Sequence, residues 1–527
     1  MAKEEKSIKF SMVPGEEIMT YCKPFGIEPA EPAPPRKEGK GPFNHLVLRN
    51  AMVIDGTGAP IHGPCTIVVD KNRIVRIVNS IFSPPESGDF EIDCTGMYVL
   101  PGFVDSHVHI GNPIQGMTGK ITPAEYVYKL WLAHGITTVR ECGALMGLKW
   151  TLNEERKSLV NEITAPRIMT YPTLYYPWMV TEVTDAAATV SWVNEVAKSG
   201  ITGIKLFGYS PEVTKALITE AKKRGLRTSC HHTVTTTSRV NALDSARLGL
   251  TSTEHFLGLA EALSDKGTEQ NYPYDYNFDD ELMRVRQDAN MWRKVEPYNS
   301  KWNAVIDEMI GLDFTVVPTL AAWEPAIDTM RCIWAEWHKD YTLPALWRYF
   351  QPNPMYHWSF YWDWTTADEI SMKEAYQKWL AFVNDYKNRG GRITAGSDEG
   401  FGFQLFGFAF IREIELLQEA GFHPLEAIQA ASMKGAELLG VEKEIGTVEP
   451  GKKADLLVTT ENPLQNFKIL YGTGHMRLNR TTGAVERIKG LRWTIKDGII
   501  YDVEELLSSV RDMVVAEKEA EAKAGGK

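Results

Sequence analysis

The chain lacks the features that mark several broad functional classes. Its six cysteines among 527 residues are scattered, with no CxxC pair and no dense framework, so reduced thiols in a cytoplasmic setting are expected. No apolar run approaches the ~20 residues that a membrane span needs, and no apolar segment of the secretory kind follows the charged start Met1-Ala-Lys-Glu-Glu-Lys-Ser. A basic excess is missing too. Lys and Arg number 57 against 68 Asp and Glu, a formal charge of −11, which offers no general attraction to phosphate backbones or anionic lipid. No nucleic-acid or membrane partner is expected. What is present is globular composition, 43% hydrophobic and 24% charged, with an unusual 15 Trp.

Residues 1–42 are charged and Pro-rich around Glu28-Pro29-Ala30-Glu31-Pro32-Ala33-Pro34-Pro35 and read as an extended arm, a candidate contact in a homo-oligomer. From Asn44 the texture changes to short β-branched stretches divided by turn residues, such as Met52-Val53-Ile54 before Asp55-Gly56. Similar texture returns at Ala454–Val458 and around the Asp497-Gly498 turn. Residues 43–100 and 420–505 are therefore expected to form one discontinuous β-sandwich, with the helix after the eighth barrel strand at its boundary, 101–419 between the two pieces and a helical tail at 506–527.

The middle alternates strand-like and helix-like segments. Strands are expected at 98–109, 137–140, 167–171, 203–207, 228–232, 252–255, 315–318 and 393–398, with helices such as 124–132, 212–223 and 239–248 between them. Eight β-then-α units make an α/β protein of the (β/α)8 TIM-barrel class, in which the loops at the strand C-termini carry the chemistry. The last two gaps between strands are about twice the others and read as insertions over that face.

Five of the expected strands end in metal-ligand residue types. In Asp105-Ser106-His107-Val108-His109, side chains two apart on a strand point the same way, so His107 and His109 can present two imidazoles to one ion. Ile204-Lys205-Leu206-Phe207 places a lysine in an apolar strand, where an unpaired ammonium is costly; a carbamate formed from CO2 would make it an anionic ligand. Cys230-His231-His232, Thr253-Glu254-His255 and Ala395-Gly396-Ser397-Asp398 end three more strands. Of the adjacent pair His231 and His232, one should point into the barrel mouth, and the register of Thr228-Ser229-Cys230 favours His231.

With these stretches, and with His134-Gly135-Ile136-Thr137-Thr138-Val139-Arg140, Val317-Pro318-Thr319-Leu320 and Gly446-Thr447-Val448-Glu449-Pro450-Gly451-Lys452-Lys453-Ala454-Asp455, the chain resembles the amidohydrolase superfamily, in its imidazolonepropionase-like and zinc prolidase-like branch. The resemblance implies a binuclear site for two divalent ions, usually Zn2+. His107, His109 and Asp398 would bind the inner ion and His231 and His255 the outer one, with carbamylated Lys205 and a hydroxide bridging them. It implies hydrolysis of a peptide-like C–N bond in a small molecule, with Asp398 as the catalytic proton carrier, and a homo-oligomer. A lactone or carbamate hydrolase would use the same site. Mononuclear deaminases of the superfamily carry a glutamate three residues after the fifth-strand histidine, where this chain has Val234 or Thr235. A non-catalytic scaffold would have lost ligand positions that are all filled here.

Ten of the fifteen Trp lie between His255 and Asp398, in the two insertions. Aromatic walls over the mouth suit an amide with a bulky aromatic or apolar acyl group, such as an N-acyl amino acid or a dipeptide-like compound; a lid packing on itself is the competing reading. Arg140 and Tyr171 are candidates to bind a substrate carboxylate.

Overall fold

The computed structural model describes residues 22–23, 26–174, 185–264, 274–277 and 280–525. Its centre is a ring of parallel strands: β1 (Phe103–Val108), β2 (Ile136–Gly143), β3 (Arg167–Pro172), β4 (Gly203–Leu206), β5 (Arg227–Cys230), β6 (Ser252–Glu254), β7 (Thr315–Val317) and β8 (Arg392–Ile393). They pair in chain order as two runs, β1 to β3 and β4 to β8. The runs meet at both ends. Thr173 bridges Lys205 in parallel, the Ser106 N–H donates to the Ala395 carbonyl (3.0 Å), and the Asp398 N–H donates to the His107 carbonyl (2.9 Å). All the strands are short, apolar and almost wholly buried, as a barrel interior wrapped by helices requires.

The helices between strands carry their signals locally. In Pro211–Lys223 the Ser210 side chain accepts from the Val213 N–H and a proline opens the first turn; in Ala242–Leu248, Asn241 and Asp244 form a capping box and Gly249 ends the helix in a left-handed conformation. The expected single strand 98–109 is divided. Tyr98–Pro101 belongs to a flanking sheet, and β1 begins after Gly102, where a Cβ would stand 2.3 Å from Thr137 Oγ1.

The flanks, 46–101 and 456–502, build a hydrogen-bonded mixed sheet of eight strands and a separate two-stranded hairpin, His475–Leu478 with Val485–Ile488. Tyr98–Pro101 sits at the centre of the sheet, parallel to Leu46–Val53 on one side and antiparallel to Leu456–Thr459 on the other, so both ends of the chain are stitched together. Leu46, Leu48, Ile67, Leu456 and Ile495 form a core distinct from that of the barrel. Buried Arg167 of β3 ties the units together, donating to Asp455 (2.7 Å) and Asp497 (2.8 Å).

Three edges of the expected layout change. The helices Pro424–Ala430 and Met433–Leu439, assigned to the flank, close the bottom of the barrel, where the Val104 and Ala395 N–H groups donate to Ala431 and Ala430 carbonyls. Residues 26–42 of the arm run along their own barrel, with the Arg36 N–H donating to the Glu162 carbonyl (2.7 Å) and the Ala33 N–H to Glu154 (3.1 Å); residues 1–21 lie outside the described residues. The tail is a helix, Val503–Gly525, that buries Leu506, Leu507, Val510 and Val514; its Ser509 hydroxyl accepts from Lys129 in the helix Ala124–Ala133 (2.8 Å).

Candidate metal centre

Side chains from five strand ends converge at the carboxyl face of the barrel. His107 and His109, two apart on and just after β1, stand with ring centroids 5.3 Å apart. Asp398, past β8, faces both: its Oδ1 is 3.2 Å from His109 Nε2 and 3.6 Å from His107 Nε2. Its Oδ2 lies 3.5 Å from Nε2 of His255, just past β6. Ligand atoms of His107, His255 and Asp398 lie within 4.8 Å of one another. His231, just past β5, brings its ring to 4.7 Å from that of His255. Lys205 of β4 is fully buried, and among the described residues its Nζ has no hydrogen-bond partner.

The neighbours His231 and His232 point apart, as consecutive residues of extended chain must. His232 turns away from the cluster, with Nε2 3.0 Å from Ser245 Oγ and Nδ1 3.2 Å from Thr253 Oγ1. Its polar atoms are satisfied within the barrel wall.

Three strand-end residues adopt left-handed backbone conformations that side chains other than glycine rarely take: His255 (φ 57°), Thr319 (φ 47°) and Asp398 (φ 46°). Such outliers persist where the surroundings hold them, and they cluster at functional sites. Thr319 is β-branched, the least tolerant type, and its buried hydroxyl lies 2.5 Å from His255 Nδ1. His107 is held in the same manner, with Nδ1 2.7 Å from the Glu254 carboxylate. A partner on the far ring nitrogen fixes an imidazole's tautomer and aim, as supported metal ligands need.

Arg140 and Tyr171, expected as contacts to a substrate carboxylate, are buried beneath this cluster instead. Arg140 donates from Nε to the Ser106 carbonyl (2.5 Å), from Nη1 to Ser252 (2.9 Å) and from Nη2 to both Glu254 oxygens (2.8 Å each). Its guanidinium lies over the Tyr171 ring, 5.3 Å from the centroid. Arg140 thus orients Glu254, and Glu254 orients His107. The strand pattern does carry a trace of this chain of contacts, since Glu254 must face opposite to Thr253 and His255, but the partner 114 residues away is invisible in it.

The electrostatics keep the imidazoles ready to bind a cation. Burial, aided by Lys205, pushes the His107 pKa down to about 3. Burial likewise takes His255 to about 4 and, with His255 and Lys205, holds His231 well below its ordinary value. Neutral imidazole is the form that donates a lone pair to a metal. Burial alone would raise the Asp398 carboxyl, but His107, His109 and His255 outweigh it and hold the group well below the usual carboxylate range. Glu254 is depressed in the same sense, burial being overcome by Arg140, Lys205 and His107. Three imidazoles and a carboxylate fit a zinc-like ion. The orphaned Lys205 amine can serve as a ligand only after losing its positive charge, because an ammonium has no lone pair and would repel a bound cation.

The mouth is ringed by Phe207, 5.7 Å from the His231 ring, Phe401, 5.8 Å from that of His109, and Trp323, 6.4 Å from that of His255. Of the ten Trp in the insertions, Trp323 lies beside the His255 ring, and Trp358 packs on Trp323 at 4.4 Å. Trp292, Trp302 and Trp379 pack with Phe382 between the helices Glu281–Arg293, Ser300–Gly311 and Thr366–Asn388, and Phe256 connects this group to Trp323. These three therefore build the insertions themselves. Of the segment that follows β3, residues 175–184 lie outside the described residues.

The comparisons with known proteins agree with this architecture. Among solved structures, the chain is similar to a Xaa-Pro dipeptidase with bound methionine in its active site (18% identical, TM-score 0.57, covering 87% of this chain and 100% of that one). It is also similar to A. niger ochratoxinase (14% identical, TM-score 0.56, 88% and 96%). Among curated sequences, a dihydroorotase of Thermoanaerobacter sp. (strain X514) is 26% identical over 281 residues, 44% of this chain and 63% of that protein. An imidazolonepropionase of Geobacillus kaustophilus (strain HTA426) is 33% identical over 81 residues, 15% of this chain and 17% of that protein. The chain spans less than two thirds of the length of these curated relatives. The amidohydrolase family model matches residues 98–476, which takes in all eight barrel strands and every member of the His/Lys/Asp cluster. This chain belongs to the amidohydrolase family of metal-dependent hydrolases.

Proposed function

We propose that the protein hydrolyses an amide bond in a small molecule bearing a bulky aromatic or apolar acyl group, using two divalent ions. His107, His109 and Asp398 would hold the inner ion, His231 and His255 the outer one, and a carbamate on Lys205 would join them. The ions would supply Lewis acidity toward a carbonyl oxygen and lower the pKa of water near neutral pH. The observation that carries this reading is the gathering of six ligand-type side chains at the carboxyl face of the barrel, where ligand atoms of His107, His255 and Asp398 lie within 4.8 Å of one another.

The protein's own residues do the rest. Glu254 and Thr319 aim His107 and His255, which keeps the reacting geometry fixed. The rings of Phe207, Trp323 and Phe401 exclude water from one side of the substrate and favour an apolar acyl group. Asp398 can take the proton of the attacking water on a carboxylate oxygen and deliver it to the leaving amine. The test is a panel of N-acyl amino acids and dipeptides offered to protein reconstituted with zinc and bicarbonate. Turnover by wild type and loss of turnover in Asp398→Asn, with metal content largely preserved, is the expected result. Turnover of small polar dipeptides alone would remove the aromatic acyl group from the reading, and substantial activity in the variant would remove Asp398 as proton carrier.

A further inference from the structure

The helix Leu320–Ile327 follows β7 and carries two groups of the mouth, Trp323 within it and Thr319 at its N-cap. Threonine at an N-cap ordinarily sits in the extended region of backbone space, and its hydroxyl accepts from the N–H two or three residues on. Thr319 does neither. Its backbone lies at φ 47° and ψ 48°, its side chain makes no cap, and its hydroxyl stands 2.5 Å from His255 Nδ1. The first N–H groups of a helix have no partner within it, and here Thr319, Leu320 and Ala321 are fully buried, so bulk water does not serve them.

The cap comes from another element. Glu413 lies in the helix Phe408–Glu419, which packs on Leu320–Ile327. Its Oε2 accepts from the Ala321 N–H (2.8 Å), the donor that the Thr319 hydroxyl would otherwise take, and the Leu320 N–H is turned to the same carboxyl. Glu413 is fully buried, and its Oε1 meets no partner among the described residues. A carboxyl is costly to bury; burial pushes this one up to about 8, against the pull of those two N–H groups. Beside it, Arg412 donates to Glu324 (2.8 Å), and the Tyr376 hydroxyl donates to the Leu320 carbonyl (3.1 Å), so the helix is held at its start and at its middle.

We propose that Glu413 is a positioning residue of the metal centre: by capping this helix in place of Thr319, it leaves the Thr319 hydroxyl to hold the His255 ring. The inference rests on the two-ion reading above and adds to it a residue that touches no ligand. Nε2 of His255 faces Asp398, so Nδ1 carries the ring proton when Nε2 binds a cation, and Thr319 Oγ1 accepts it. Without Glu413 the Ala321 N–H is left buried and unpaired, while Thr319 stays strained. Both costs are relieved together when Thr319 returns to the extended region and caps its own helix. His255 then loses its outer partner.

The test compares Glu413→Leu, Glu413→Gln, Thr319→Ala and the double variant Glu413→Leu/Thr319→Ala in zinc competition against a chromophoric chelator, with bicarbonate present. Glu413→Leu should weaken the outer ion about 10- to 100-fold, as removal of a ligand's outer partner does. Glu413→Gln, whose amide oxygen can still accept from Ala321, should keep most of the affinity. The double variant should bind no more weakly than Thr319→Ala alone, because both changes remove one contact. A merely structural Glu413 would lower the urea midpoint of the metal-free protein with zinc affinity as in wild type, or would add its loss to that of Thr319→Ala; either result overturns the inference. A crystal structure of metal-free Glu413→Leu protein decides it independently of ion number. Thr319 at negative φ with its hydroxyl on the Ala321 N–H is the expected result, and Thr319 unmoved against His255 overturns the inference. If wild type binds no second ion, the two-ion reading fails and that structure alone decides. Glu413→Asp, which withdraws the carboxyl by one methylene, replaces the leucine variant if that protein does not fold, with both readouts moving in the same direction.

Discussion

Thr319 offers the sharpest perturbation of the proposed centre, because its hydroxyl meets the imidazole of a proposed ligand without being a ligand itself. Its hydroxyl stands 2.5 Å from His255 Nδ1, fully buried, on a backbone held at φ 47°. Replacing it by alanine removes the group that orients His255 without removing a ligand. Loss of such an outer partner typically weakens metal binding about 10- to 100-fold, which is about 1.4 to 2.7 kcal/mol at 1.36 kcal/mol per factor of ten. The fold should barely notice. Alanine keeps the Cβ that makes the left-handed position costly, so little strain is relieved and the cost to the fold is that of one hydrogen bond, about 1 kcal/mol. The expected outcome is therefore a weakened outer ion with only that small loss of stability. Zinc competition against a chromophoric chelator, paired with urea unfolding of metal-free protein, separates the two quantities. Thr319→Ser, which retains the hydroxyl, should bind zinc like wild type. If alanine and serine variants bind zinc equally well, Thr319 does not orient a ligand and the geometric argument for His255 fails.

Other substitutions probe separate parts of the account. His231→Asn should lose the outer ion, whereas His232→Asn should keep both ions and cost about 1 to 3 kcal/mol of stability through its orphaned partners Ser245 and Thr253; metal analysis and denaturation distinguish them. Trp323→Ala should raise KM for aromatic acyl groups more than for acetyl groups, while Trp292→Ala, placed in the insertion core, should lower stability by about 3 to 5 kcal/mol without that selectivity. His134 tests the pH dependence away from the ligands. Burial lowers its pKa to about 4, opposed by its bond to the Leu130 carbonyl, so the unfolded chain takes up its proton first as pH falls. Its stabilising contribution is complete above about pH 6.5 and is lost on the way down to pH 4, about 3 kcal/mol in all. In His134→Gln the unfolding free energy should fall less steeply over that window; an unchanged slope would refute the assignment.

How much of this was legible beforehand depended on how local the signal is. The barrel strands announced themselves because each is a short buried run ending in polar residues, and the pairing of His107 with His109 followed from the alternation of a strand. The division between Pro101 and Phe103 was hidden, since both halves are equally apolar and only the clash of a side chain at Gly102 with Thr137 separates them. Arg140 was misread as a substrate contact because its true partners, Ser252 and Glu254, are more than a hundred residues away. The Trp excess pointed to the right segments but overstated their contact with the mouth, as composition cannot divide a lid's own core from its lining.

The most direct test of the binuclear centre is the metal stoichiometry of stripped protein titrated with zinc in the presence of bicarbonate, measured beside Lys205→Met. The account predicts two ions per chain in wild type, with at least one lost in the variant and the loss mirrored when bicarbonate is withheld. Binding of no ions, or of two ions regardless of Lys205 and bicarbonate, would contradict it.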